Sequence, residues 1–343
     1  MGVPTHRWRW ASAAALVLAA GAPATSAAAT TQYAIGLANN VVGNGWRDEM
    51  GCSVKVQAKA SGLVSKVIDA SANGSASDEI QAMRSLISAG VNAIILNPAD
   101  SQALNPVIAE AHTRGIVVVS VDSTVTSPYA YDFTNDQKVY GRLSGEWLVR
   151  QLDGNGTILE LRGAAGSSAD TDRHAGFEEA VAGHSGVKVI SVFTNWSAAT
   201  ASQQVTQELA SGAKIDGIFT AGTGKVVWNA YTAAKKPFVP TAVSDSNGDL
   251  AGYQIPGAKF LAVSNPAVVG GGGVTVALNV LQGKPQERVV ALTPTAWDST
   301  TPEGLAAIKA AWDGRYGDYY STTTSIPGYT NFTKDDLLGC QGP

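Results

Sequence analysis

Side chains able to hydrogen-bond or stack follow directly on short apolar runs along this chain. Asp122 comes after Ile116–Val121, Asp245 after Val239–Ser244, and Asn39-Asn40 after Tyr33–Ala38. Asn265 follows Phe260–Ser264, Gly222-Thr223 follow Ile215–Thr220, Asn195-Trp196 follow a further run, Val187–Phe193, and Trp46 stands a few residues beyond Asn39-Asn40. Carboxylates and amides make paired hydrogen bonds to vicinal hydroxyls, while an indole covers the apolar C–H face of a sugar ring. The set therefore fits a neutral, polyhydroxylated ligand. A second chemistry for Asp122 and Asp245 is the acid and base of a glycosidase, whose outcome depends on a separation that sequence does not give. Other catalysis has little to work with. His112 lies on a predicted helix, His174 and His184 lie beside others, and no Gly-x-Ser-x-Gly elbow is present. Gly222-Thr223-Gly224-Lys225 imitates the end of a phosphate loop, but Phe219 stands where its first glycine belongs and Val226 where its hydroxyl belongs. Asp245–Asp249 lacks the distal glutamate of a calcium loop, so neither metal nor cofactor is expected.

The elements that position these residues read most clearly between Val91 and Ser123. Ala93–Leu96 is a buried strand stopped by Asn97-Pro98, Ser101 is the expected cap of a helix carrying Leu104, Val107, Ile108 and Ala111, and Gly115 ends it. Ile116–Val121 is the second strand. Runs apolar on both faces imply a parallel sheet covered by helices on either side, and in such sheets ligands gather at the carboxyl ends of the strands. Strand and helix alternate up to this unit and begin again at Tyr140. The fold class expected is therefore α/β, with two doubly wound parallel-sheet lobes forming a cleft between their strand ends. Gly270–Gly273 lets a helix pack closely on its neighbours.

The chain has 343 residues, enough for two lobes, and a net charge of −4. His6, Arg7 and Arg9 precede the apolar run Ala11–Ala20 and small residues up to Ala29, which reads as a secretory signal peptide over 1–29. Its removal takes Arg7 and Arg9 from the 24 basic residues, leaving 22 against 28 acids and a net −6. A mildly acidic surface argues against nucleic acid as a partner. The expected location is outside the cytoplasm: secreted, periplasmic or associated with the cell surface. Cys52 and Cys340, the two cysteines, are expected to pair there.

From Gln32 to Gln286 the chain resembles the type I periplasmic sugar-binding proteins, the ribose-binding family in particular. The resemblance is carried by Asn97-Pro98-Ala99-Asp100-Ser101, by Val121-Asp122, and by Ile158–Gly163 running on to Arg173-His174-Ala175-Gly176-Phe177. It implies two lobes joined by a three-segment hinge near Asn135, Asn265 and Thr295. The first lobe would comprise 32–135 with 266–294, the second 136–265 with 295–343 including a tail. It implies ligand positions at Asn39, Asn40, Trp46, Asp122, Ser123, Thr171, Trp196, Gly222 or Thr223, Asp245 and Asn265. Ser123 and Thr171 stand where ribose binders look to have arginine, which argues against ribose itself and leaves Arg47 or Arg162 to compensate. The implied activity is capture, as a monomer, of a monosaccharide or similar polyol for the membrane permease of an ABC transporter, without chemistry on the ligand. A sugar-sensing subunit for a receptor is a further alternative. The tail carries no recognisable motif, and its cysteine is expected to bring it back over the hinge side onto the first helix.

Overall fold

The computed structural model describes residues 1–5, 32–71 and 75–343, so the expected signal peptide lies almost wholly outside the described residues. Residues Gln32–Pro343 form one compact unit. Along the chain come β1 (Tyr33–Asn39), α1 (Gly45–Ser61), β2 (Val64–Asp69), α2 (Ala76–Ser88), β3 (Ala93–Asn97), α3 (Asn105–Thr113), β4 (Val117–Val121) and β5 (Ala130–Asn135). There follow α4 (Gln137–Gln151), β6 (Asn155–Arg162), α5 (Ser168–Val181), β7 (Gly186–Phe193), α6 (Ala198–Ser211), β8 (Gly217–Thr220), α7 (Gly224–Ala233), β9 (Thr241–Ser244), α8 (Asn247–Leu250) and β10 (Phe260–Val263). Last are α9 (Val269–Leu281), β11 (Val289–Leu292), β12 (Ala296–Asp298), α10 (Pro302–Ala311) and α11 (Lys334–Gly339).

Two six-stranded sheets result, ordered β11-β5-β4-β3-β1-β2 and β12-β10-β9-β8-β6-β7. The first is parallel throughout. In the second, β12 alone runs antiparallel: Ala296 meets Val263 and Asp298 meets Leu261. The chain re-enters that sheet at its carboxyl edge after the short β11–β12 connection, so its last strand must run back down.

Side-chain alternation explains the continuous apolar runs. In β3, Ala93 and Ile95 face one core with α1 and α9, while Ile94 and Leu96 face another with α2 and α3. The second sheet is covered likewise, by α6 and α7 around Leu159 and Leu161 and by α4 and α5 around Ile158. The expected α/β fold with doubly wound lobes is the fold observed. The helix capped by Ser101 is corrected: α3 starts at Asn105, because the Asp100 carboxylate accepts the backbone N–H groups of Gln102 and Ala103 and closes a separate turn first.

The chain passes between the sheets after β5, after β10 and between β11 and β12. The first two passages are bonded together, Asn135 Nδ2 donating to the Ser264 carbonyl at 2.8 Å. The tail makes a fourth. Ile308 of α10 lies in the second lobe's core, whereas Ile326, Phe332 and Leu337 belong to the first lobe's. Cys340 then bonds to Cys52 on α1.

Candidate functional site

The carboxyl ends of both sheets face a cleft between the lobes. On the first lobe, Asn44 caps α1, its side-chain oxygen accepting from the N–H groups of Trp46 and Arg47. That cap sets both side chains at the helix's first turn, where they line the cleft. The Trp46 indole N–H is taken by the Asn265 carbonyl at 2.8 Å, which leaves the ring, not its donor, for a ligand. Arg47 Nη1 donates to the side-chain oxygens of Asn39 (2.9 Å) and Asn40 (3.1 Å). Those two asparagines thus orient the guanidinium and are not among the lining residues. Burial pulls the Arg47 pKa below its ordinary value, against the opposing charge of Asp122.

Asp122 lines the cleft in the left-handed region, with φ of 63°. The carboxylate is 5% exposed and accepts from Gln137 Nε2 at 3.0 Å, while Thr134 Oγ1 donates to its carbonyl. Gln137 in turn accepts from Arg173 Nε at 2.8 Å and donates to Asn265 at 3.3 Å. One glutamine at the start of α4 therefore holds an acid, a base and an amide of the site in register.

On the second lobe, Asn195 and Trp196 follow β7 with φ of 53° and 52°. A left-handed bulky residue is costly, and this one is accommodated because Gly163 leaves room: a Cβ there would stand 2.1 Å from the Trp196 ring. Three of the six non-glycine residues with positive φ among the described residues, Asp122, Asn195 and Trp196, thus line one cleft. The Arg173 guanidinium lies 4.5 Å from the centre of the Tyr140 ring and 5.9 Å from that of Trp196. Arg162, the other arginine weighed from sequence, is committed to Asp170 at 2.6 Å.

Of the residues singled out in the sequence, the structure brings Trp46, Arg47, Asp122, Trp196, Gly222 and Asn265 together in the cleft. Ser123 instead meets Ser167 of the opposite lobe at 3.0 Å, and Thr124 N–H donates to Ser168 Oγ at 2.7 Å. With Asn44 Nδ2 on the Trp196 carbonyl, these bonds join the lobes along the cleft rim. Thr171 is exposed on α5 and donates to the Ser167 carbonyl. Thr223 pairs with Thr220. Asp245, 1% exposed, accepts from Ser321 Oγ (2.8 Å), Thr323 Oγ1 (2.6 Å) and the Asn265 N–H (2.9 Å), and lies outside the lining. Burial raises its pKa against those hydrogen bonds. The sequence did not point to Asn44, Arg173, Ser244, Ser246 or Tyr319 in the cleft. Asn44 was legible as a cap before an aromatic–arginine pair, and Arg173 stood inside a motif already noted; Tyr319 had no signal.

Residues 35–285 match the model of the periplasmic binding protein domain. The chain belongs to the periplasmic binding protein family. Among curated relatives it is 30% identical to the galactofuranose-binding protein YtfQ of Escherichia coli over 180 residues, covering 51% of this chain and 56% of that one. It is also 30% identical to a xylitol-binding protein of Mycolicibacterium smegmatis, over 43% of each. These two alignments span about half the relatives' length. Against the ribose import binding protein RbsB of Haemophilus influenzae, identity is 24% over 77% of this chain and 91% of that one. An ABC transporter solute binding protein from Thermobispora bispora superposes with a TM-score of 0.77 at 25% identity, over 84% of this chain and 90% of that one. The two-lobed architecture of the type I periplasmic binding proteins is thus shared, and the cleft at the strand ends is where that architecture puts its site. The family match ends before β11, so the whole tail lies beyond it.

Proposed function

We propose that this chain is an extracytoplasmic solute-binding protein that captures a monosaccharide or similar polyol between its lobes and presents it to the permease of an ABC importer. The observation that carries this reading is the composition of the cleft: the rings of Trp46 and Trp196, the carboxylate of Asp122, and the donors Arg47, Arg173 and Asn195 converge on one space. Rings for C–H faces and charged groups for hydroxyl pairs are the chemistry of sugar recognition. The relatives named for galactofuranose, xylitol and ribose support the ligand class. The bonds Ser123–Ser167 and Asn44–Trp196 fit a closed state, reached by rotation about the passages near Asn135, Asn265 and Thr295. The glycosidase alternative needs two carboxylates at the ligand; Asp245 faces Ser321 and Thr323 instead.

Mature protein is to be titrated calorimetrically with D-ribose, D-galactose, D-allose, L-arabinose, D-fucose and xylitol, with product analysis after incubation. At least one is expected to bind and to raise the melting temperature without being altered, by about 2.7 kcal/mol of stabilisation at a hundredfold excess over Kd. Asp122→Ala is expected to cost about 1.5–3 kcal/mol of that binding. Turnover, or no binding by any of the six, defeats the reading.

A further inference from the structure

Between its two anchoring cores the tail runs along the wall of the cleft, and it is fastened there from both lobes. From the first lobe, Glu49 Oε2 accepts the Ser321 N–H at 2.6 Å. From the second, the Asn247 and Gly248 N–H groups donate to the carbonyls of Tyr320 (2.8 Å) and Asp318 (2.7 Å), and the Asp245 carbonyl accepts the Thr322 N–H. Lys225 pairs with Asp318 at 2.7 Å. Each lobe also gives way sterically. A Cβ on Gly45 would stand 2.9 Å from Tyr319 Cβ, and one on Gly248 would stand 2.9 Å from Asp318. Thus fixed, Tyr319 is the tail's contribution to the cleft lining, which it shares with Trp46 and Asn265.

We propose that the tail completes the ligand site, with Tyr319 a ligand-contacting, specificity-determining residue and Asp245 a positioning residue that acts through the tail. This rests on the sugar-binding reading above. Asp245 accepts from Asn265 N–H on one carboxylate oxygen and from the Ser321 and Thr323 hydroxyls on the other, and at 1% exposure it lies behind the cleft lining, where it faces the tail instead of the ligand. What the cleft gains in exchange is a third ring, which limits the length of ligand that fits and adds an apolar contact.

A double-mutant cycle separates the roles, read as calorimetric affinity for whichever sugar of the six-member panel the parent binds tightest. Tyr319→Ala is expected to weaken binding about tenfold, with Tyr319→Phe close to the parent. Asp245→Ala is expected to weaken binding in the parent and to add less than about twofold in the Tyr319→Ala background, because its effect passes through the same ring. Should Asp245→Ala not fold, Ser321→Ala combined with Thr323→Val removes the same fastening from the tail side and is expected to behave alike. Parental affinity for Tyr319→Ala, or an equal loss from Asp245→Ala in both backgrounds, overturns the inference while leaving the sugar-binding reading intact. A parent that binds none of the panel removes that reading, and this one with it.

Discussion

Glu79 shows what burial does to a single carboxyl in this molecule. It sits on α2, 4% exposed, accepting the Ala99 N–H at 2.7 Å, and burial pushes its pKa from an ordinary 4.5 to about 7 against the pull of Arg47. A carboxyl with a raised native pKa binds its proton more tightly folded than unfolded. Its contribution to stability is therefore full below about pH 4.5 and is lost as pH rises through about 7. Glu79→Gln is expected to remove that loss, gaining on the parent by about 3 kcal/mol between pH 4.5 and 8; urea melts at both ends check it, and parallel profiles would contradict it. The same separation of charge from position governs how far the site was readable. Asp122, Trp46, Trp196 and Asn265 were legible because each follows a strand end, where chain direction alone delivers a side chain to the cleft. Asn39, Asn40 and Asp245 also follow strand ends, yet they are consumed by Arg47 and by the tail. Which polar group meets ligand and which meets protein is decided by the partner each one finds, Arg47 for the asparagines and Ser321, 76 residues on, for Asp245, and the strand-end pattern does not record that.

At the scale of elements, close approach matters more than propensity. α9 carries four glycines, Gly270–Gly273, and is still a helix, because it is wedged between α1 and the sheet where side chains would not fit. A Cβ on Gly272 would stand 2.2 Å from the Phe133 ring, and one on Gly273 2.6 Å from Val121. Gly272→Ala is expected to destabilise by about 1–3 kcal/mol through overpacking, whereas Gly183→Ala, with open space around it, is expected to be near neutral; chemical denaturation of the pair measures the contrast. Most of the alternation of strand and helix was legible up to β10, most clearly where a central strand such as β3 is apolar on both faces and a helix such as α3 runs to a stop at Gly115, whereas β5, with Asp132 and Asn135 in a six-residue run, and α7 were not read. The short β11 and β12 and the tail were not. β12 is only Ala-Trp-Asp, too short to show a period, β11 and β12 are edge strands with no fully buried residue, unlike β8, β9 and β10, and the tail's Ile326, Phe332 and Leu337 are spaced as isolated anchors.

At the scale of the molecule, two lobes are held by three passages of chain and by the tail, whose end is bonded to α1 across a sequence separation of 288. Constraining so long a stretch of the unfolded chain is worth roughly 5.5–6 kcal/mol in the chain-entropy model. Reduction is expected to lower the melting temperature accordingly, and an unchanged melt after verified reduction would show that tail packing alone suffices. The bond also has a topological meaning. Cys52 and Cys340 close nearly all of the two-lobed body into a covalent ring, so a protease that nicks a surface loop once opens the ring without releasing a fragment. Such a nick should leave a single band without reductant and two bands with it, and only a second cut could shed a piece of the protein.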